Sequence, residues 1–109
     1  MTSIKLNPIP DDYFEHCKQK YGEGTQYVIL HEELSELSIA CNELQKLTCK
    51  IIRGLEDKRN TATDVGNAVD HIYEEIADVR IMLEQFIYTK QIEFYINDYT
   101  KQKLAREGF

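Results

Sequence analysis

The chain has 109 residues, 42% of them hydrophobic and 29% charged, with a formal net charge of −6. That composition excludes a disordered polar chain, and the acidic balance excludes a general binder of nucleic-acid polymers, which needs a basic stripe. The length suits a single domain over residues 1–109, and a nucleotide ligand stays open because a bound metal reverses the local field.

In chain order, Pro8 and Pro10 precede a helix expected over Asp11 to Tyr21, with Pro10 at its start and Gly22 as its stop. Thr25 is placed to cap a second helix from Gln26 to about Arg53, ended by Gly54. The polar stretch 54–61 reads as a loop, and Thr61 or Thr63 can cap a third helix running to about Lys90. Asn97 and Asp98 offer a break before a last short helix over Tyr99 to Glu107, so that the C-terminal helical region spans about 91–107. No repeated hairpin signal appears, and the fold class is all-α.

The second helix carries an apolar seam at Leu30, Leu34, Leu37, Cys41, Leu44, Thr48, Ile51 and Leu55. The third carries one at Val65, Val69, Ile72, Ile76, Val79, Leu83 and Phe86. Alternating steps of four and three are the pattern of helices packed at a shallow angle. The short connection makes the two helices an antiparallel hairpin with flanking helices. Ile39, Leu47, Ile52, Tyr73, Ile81 and Ile87 fall off the seams, more apolar surface than one hairpin buries. A homodimer or homotetramer, built as an oligomeric helical bundle, is therefore expected.

Two acidic clusters stand on these helices, His31-Glu32-Glu33-Leu34-Ser35-Glu36 and Tyr73-Glu74-Glu75-Ile76-Ala77-Asp78. Glu33 with Glu36, and Glu75 with Asp78, are three residues apart and so share a helix face one turn apart. With Leu34, Cys41, Val69 and Ile76 at heptad position a, Glu33 and Glu75 fall at g and Glu36 and Asp78 at c. Both pairs then flank the same side of the seam. They also match in height: 36 and 75, like 33 and 78, have their midpoint at 55.5, near the proposed turn. Four convergent carboxylates are the ligand set of a hard divalent cation, Mg²⁺ or Mn²⁺. The same stripe adds Glu43 and Lys50 on the second helix and His71 and Gln85 on the third, with Arg53 beyond Lys50. Lys50 and Arg53 are candidates for phosphate oxygens, and His71 for a ligand contact or a partner of the carboxylates. Tyr13, Phe14, Tyr21, Tyr95 and Tyr99 are candidates to stack a base. Lys101, Lys103 and Arg106 are candidates to reach the phosphates of a neighbouring subunit.

Cys17, Cys41 and Cys49 lack metal-ligand spacing and read as buried free thiols of a reducing compartment. No signal-peptide core and no apolar run near 18 residues is present, so a cytoplasmic chain without a membrane partner is expected.

Glu33-Leu34-Ser35-Glu36 and Glu75-Ile76-Ala77-Asp78 resemble the ExxE and ExxD motifs of the MazG-like, all-α nucleoside triphosphate pyrophosphohydrolases. That superfamily includes the all-α dUTPases, dCTP pyrophosphatases and phosphoribosyl-ATP pyrophosphohydrolases. The lead-in Tyr21-Gly22-Glu23-Gly24-Thr25-Gln26, the run Ile81-Met82-Leu83-Glu84 and the KxxR-like Lys50-Ile51-Ile52-Arg53 extend the likeness over roughly residues 20 to 90. The resemblance implies Mg²⁺-dependent hydrolysis of a nucleoside triphosphate substrate to monophosphate and diphosphate. Glu33, Glu36, Glu75 and Asp78 would hold the metal, and Glu32 or Glu36 would orient or deprotonate the attacking water. Lys50 and Arg53 would meet phosphate, and His71, from its place on the stripe rather than from the resemblance, is a further candidate to meet nucleotide. Residues 37–74, thirty-eight in all, separate the motifs, more than in most relatives, which moves Lys50 and Arg53 away from the metal ligands. The same chemistry on another substrate such as phosphoribosyl-ATP, or a non-catalytic or regulatory assembly of the same fold, are the alternatives.

Overall fold

The structure, a computed structural model, describes residues 4–54 and 58–109, with 58–61 through their backbone. Among the described residues there are four helices and no strand: α1 (Asp11–Tyr21), α2 (Gln26–Ile52), α3 (Lys58–Lys90) and α4 (Glu93–Arg106). They divide into two compact units, one of residues 4–26 with 84–109 and one of residues 27–83. No helix among them is long and apolar enough to cross a membrane.

α1 has the expected bounds. Extended Pro10 precedes it, Asp11 and Asp12 place negative charge at the positive end of the helix dipole, and Lys18 and Lys20 stand in the last turn. Gly22 ends it at φ 73°, a backbone conformation that side chains disfavour, and its N–H closes on the Lys18 carbonyl at 2.9 Å. Thr25 does not cap α2 as expected. Its hydroxyl donates to the carbonyl of Tyr21, one turn back, so the side chain closes the turn behind it instead.

In the first unit, Phe14 and Cys17 are buried, and the ring of Phe14 lies 5.2 Å from that of Tyr88. Gln26 and Gln85 are buried together, with Gln85 Nε2 donating to Gln26 Oε1 at 2.9 Å while Gln26 Nε2 donates to the Gly22 carbonyl at 2.8 Å. Gln85 is thus a structural amide rather than part of the acidic stripe, because a buried amide must find partners.

The third helix begins earlier than expected. α3 starts at Lys58, so Thr61 and Thr63 lie inside it rather than at its cap, and the loop is shorter than 54–61. Neither proline nor glycine interrupts 58–65, and a single Gly66 costs only about 1 kcal/mol against alanine within a long helix. The expected seam residue Leu55 lies outside the described residues.

The break before α4 is also displaced. It falls at Gln91, not at Asn97-Asp98, which are helical. Gln91 takes the left-handed conformation at φ 54°. Its N–H reaches the Tyr88 carbonyl at 3.2 Å, and the N–H of Ile92 reaches that of Ile87, also at 3.2 Å. This is the Schellman closure, usually built on glycine. Substituting Gln91→Gly should therefore raise stability by about 0.5–1 kcal/mol, since the strain of a left-handed side chain exceeds glycine's entropy cost. Urea unfolding reads this directly, and a midpoint at or below wild type would contradict it.

In the second unit the hairpin seam is rotated by one heptad position from the expectation. Leu30, Leu37, Leu44 and Ile51, and on α3 Val65, Ile72 and Val79, are at least half-buried as expected at position d. The other row of the seam is g, not a. Ala40 and Ala68 are buried there, and Glu33, Leu47 and Glu75 half-buried, whereas at a Leu34, Cys41, Thr48 and Ile76 are exposed and Val69 half-buried. Small side chains at g let the helices approach on that side. The same rotation exposes Cys41, and Cys49, at outward position b, is exposed too, correcting the expectation of three buried thiols; of the three, Cys17 is buried.

Candidate metal centre

Rotation toward g brings the carboxylates onto the seam instead of beside it. One ligand oxygen from each of Glu33, Glu36 and Glu75 lies within 4.8 Å of the other two. Glu33 and Glu36 come from adjacent turns of α2 and Glu75 from the facing turn of α3. The pairs Glu36–Glu75 and Glu43–His71 fall in opposite chain directions, as antiparallel helices require.

The local electrostatics at Glu33 are dominated by burial and by neighbouring negative charge. Burial pushes the Glu33 carboxyl above its ordinary 4.5, and the charges of Glu36, Asp78 and Glu75 push it further the same way. A hydrogen bond with Glu36 also favours the protonated form. Glu33 Oε2 and Glu75 Oε2 are buried and have no hydrogen-bond partner among the described residues. Such oxygens are costly unless a donor or a cation meets them. A hard divalent ion, which prefers carboxylate oxygens, fits this donor set.

Asp78 is exposed and does not belong to the close trio, although its charge acts on Glu33. Glu32, at heptad position f, is exposed and is not part of the trio. His71 stands one turn before Glu75, its Nε2 at 3.2 Å from Glu75 Oε1 and its Nδ1 at 3.5 Å from Glu43 Oε2. Both ring nitrogens therefore face carboxylates rather than an open phosphate position.

A groove of about 490 Å³ begins at His71 and runs toward the turn end of the hairpin, lined by Glu43, Lys46, Lys50, Asp64 and Asn67 among others. Lys50 also borders a second depression that reaches Arg53. Lys46, Asp64 and Asn67 were not among the sequence candidates. Lys46 could have been found as the residue one turn before Lys50, on the face that already held Glu43. Of the aromatic candidates, Phe14 is core, and Tyr13, Tyr21, Tyr95 and Tyr99 are exposed. All five belong to the first unit, as do the exposed Lys101, Lys103 and Arg106.

No family model matches the chain, and no curated protein and no solved structure matches it.

The raised Glu33 pKa has a sign that can be tested. Protonated Glu33 suits the fold better than its carboxylate. Its contribution to stability is full below about pH 4.5 and is lost as pH rises through the higher folded value. In chelator, Glu33→Gln should be more stable than wild type at pH 7, by about 0.2–0.5 kcal/mol for each like-charge helix pair relieved, and the two should converge at pH 4. Parallel stability curves across that range would contradict the assignment.

Proposed function

We propose that the chain is a Mg²⁺-dependent nucleotide pyrophosphohydrolase, converting a nucleoside triphosphate and water to the monophosphate and diphosphate. The observation that carries this reading is the trio Glu33, Glu36 and Glu75, with two buried carboxylate oxygens that lack partners. The motif resemblance supplies the reaction class. Glu33, Glu36 and Glu75 would hold the ion, with Asp78 joining from one turn further along α3. When bound, the ion supplies charge neutralisation at phosphate oxygens and a lowered pKa for water.

The chain's own residues have distinct tasks. Glu36 is exposed at the edge of the trio, where its carboxylate can orient or accept a proton from water; Glu32, further round the helix, is the weaker candidate. Lys46 and Lys50 line the adjacent groove and offer ammonium groups to phosphate oxygens. Arg53 borders only the second depression, beyond Lys50. A substrate of another class, such as phosphoribosyl-ATP, would use the same carboxylates and differ in what the groove accepts.

The exposed a row supports the homo-oligomer. Leu34, Ile76 and Leu83 are 44%, 49% and 40% exposed, and Ile39 and Tyr73 are exposed near them in sequence. An apolar row repeated on both helices is suited to a second copy of the same chain, in a dimer or tetramer. Light scattering at micromolar concentration should give at least a dimer, and a monomer mass would refute this part of the reading.

The catalytic claim is tested by melting and by a substrate panel. Millimolar Mg²⁺ should raise the melting temperature, because a ligand held only by the folded state stabilises it, by about 2.7 kcal/mol at a hundredfold excess over Kd. Canonical and modified nucleoside triphosphates scored for diphosphate should identify a substrate. Glu36→Gln should then slow turnover by about 100-fold or more, and Asp78→Asn should slow it too. Unchanged turnover in both variants would overturn the site. A non-catalytic assembly is the alternative if no melting shift and no diphosphate are seen.

A further inference from the structure

We infer that His71 is the positioning residue of the carboxylate centre, orienting Glu75 for the cation rather than meeting substrate. The inference rests on reading Glu33, Glu36 and Glu75 as a divalent-cation centre. Glu75 has two oxygens in unlike situations. Oε1 lies 3.2 Å from His71 Nε2, while Oε2 is buried with no hydrogen-bond partner. The Glu75 side chain is only 13% exposed, so water does not readily replace a lost partner. In the tautomer that carries its proton on Nε2, the imidazole N–H holds one oxygen, and the other is left for a cation. A carboxylate held at one oxygen cannot rotate freely about its terminal bond, so the second oxygen is presented in a fixed direction.

His71 is itself held. Its Nδ1 lies 3.5 Å from Glu43 Oε2, on the facing helix. Glu43, His71 and Glu75 form a chain that crosses from α2 to α3 and ends at the trio. The i,i+4 spacing of His71 and Glu75 on one helix makes the contact local, so it forms wherever α3 is helical. Glu43 stands across the hairpin from the ring and pairs with Nδ1 when the ring is protonated. His71 also lines the groove, together with Glu43.

The test is Mn²⁺ affinity of the full chain, read from the electron paramagnetic resonance signal of free Mn²⁺, for wild type and four variants. His71→Ala and His71→Phe remove the donor, the second while keeping ring volume. His71→Gln restores an N–H able to reach Glu75. Glu75→Gln is the control that removes a ligand. Loss of a group that orients a metal ligand typically costs roughly 10- to 100-fold in affinity. His71→Ala and His71→Phe should weaken Mn²⁺ binding by that factor, with His71→Gln recovering a substantial part of it. If His71→Ala does not fold, the comparison of His71→Phe with His71→Gln decides. Binding within about twofold of wild type in His71→Phe, with Glu75→Gln impaired, would overturn the inference and leave the metal centre standing. Wild type without measurable Mn²⁺ binding would overturn both.

Discussion

Three carboxylates held within 4.8 Å of one another across a helix pair are the constraint on which the rest of the hairpin depends. Like charges at that distance repel, and partial burial strengthens the repulsion by removing water. Burial first, and then this repulsion, push the Glu33 pKa upward, and two of the oxygens lack hydrogen-bond partners among the described residues. The fold tolerates the arrangement because the neighbouring seam is apolar and close. Buried Ala40 and Ala68 let the helices approach, and leucines, isoleucines and valines at d fill the other row. His71 then stands between Glu75 Oε1 and Glu43 Oε2 on the facing helix. A cation would turn the repulsion into coordination, which is why the metal reading accounts for more of the geometry than a solvated acidic face does.

The same rotation that carries Glu33 and Glu75 onto the seam turns the a row outward. Site and exposed surface are therefore two consequences of one packing choice. Leu34, Ile76 and Leu83 look like core residues in sequence and are exposed in the single chain. α4 presents a related case, since none of its residues is buried although Phe94, Tyr95 and Tyr99 are large and apolar. A helix of 14 residues gains little stability from propensity alone and normally relies on packing of one face.

Much of the fold was legible because its punctuation is local. Pro10 and Gly22 bound α1, and Gly54 follows the end of α2, as their backbone preferences dictate. The approach of Glu33, Glu36 and Glu75 was legible because i,i+3 spacing on two seams survives a rotation of both helices in the same sense, while Asp78 stays outside the trio. What escaped depends on choices that tertiary structure makes. Gln91 occupies a left-handed position that glycine or asparagine would have announced. Thr25 had two possible partners and bonds the preceding turn. Rows a and g both carry apolar residues, and nothing in a heptad count says that Ala40 is preferred to Cys41 against the facing helix. Gln85 lay on the acidic stripe by count, yet its amide matches Gln26 too well to remain there.

The most direct measurement is anomalous diffraction from a crystal of the full chain soaked in Mn²⁺, collected at the manganese edge. The account predicts a peak bounded by Glu33, Glu36 and Glu75, with carboxylate oxygens at roughly 2.0–2.2 Å, near the distance such hard ions adopt. No peak at the trio at saturating Mn²⁺, or a peak held only by residues elsewhere, would contradict it.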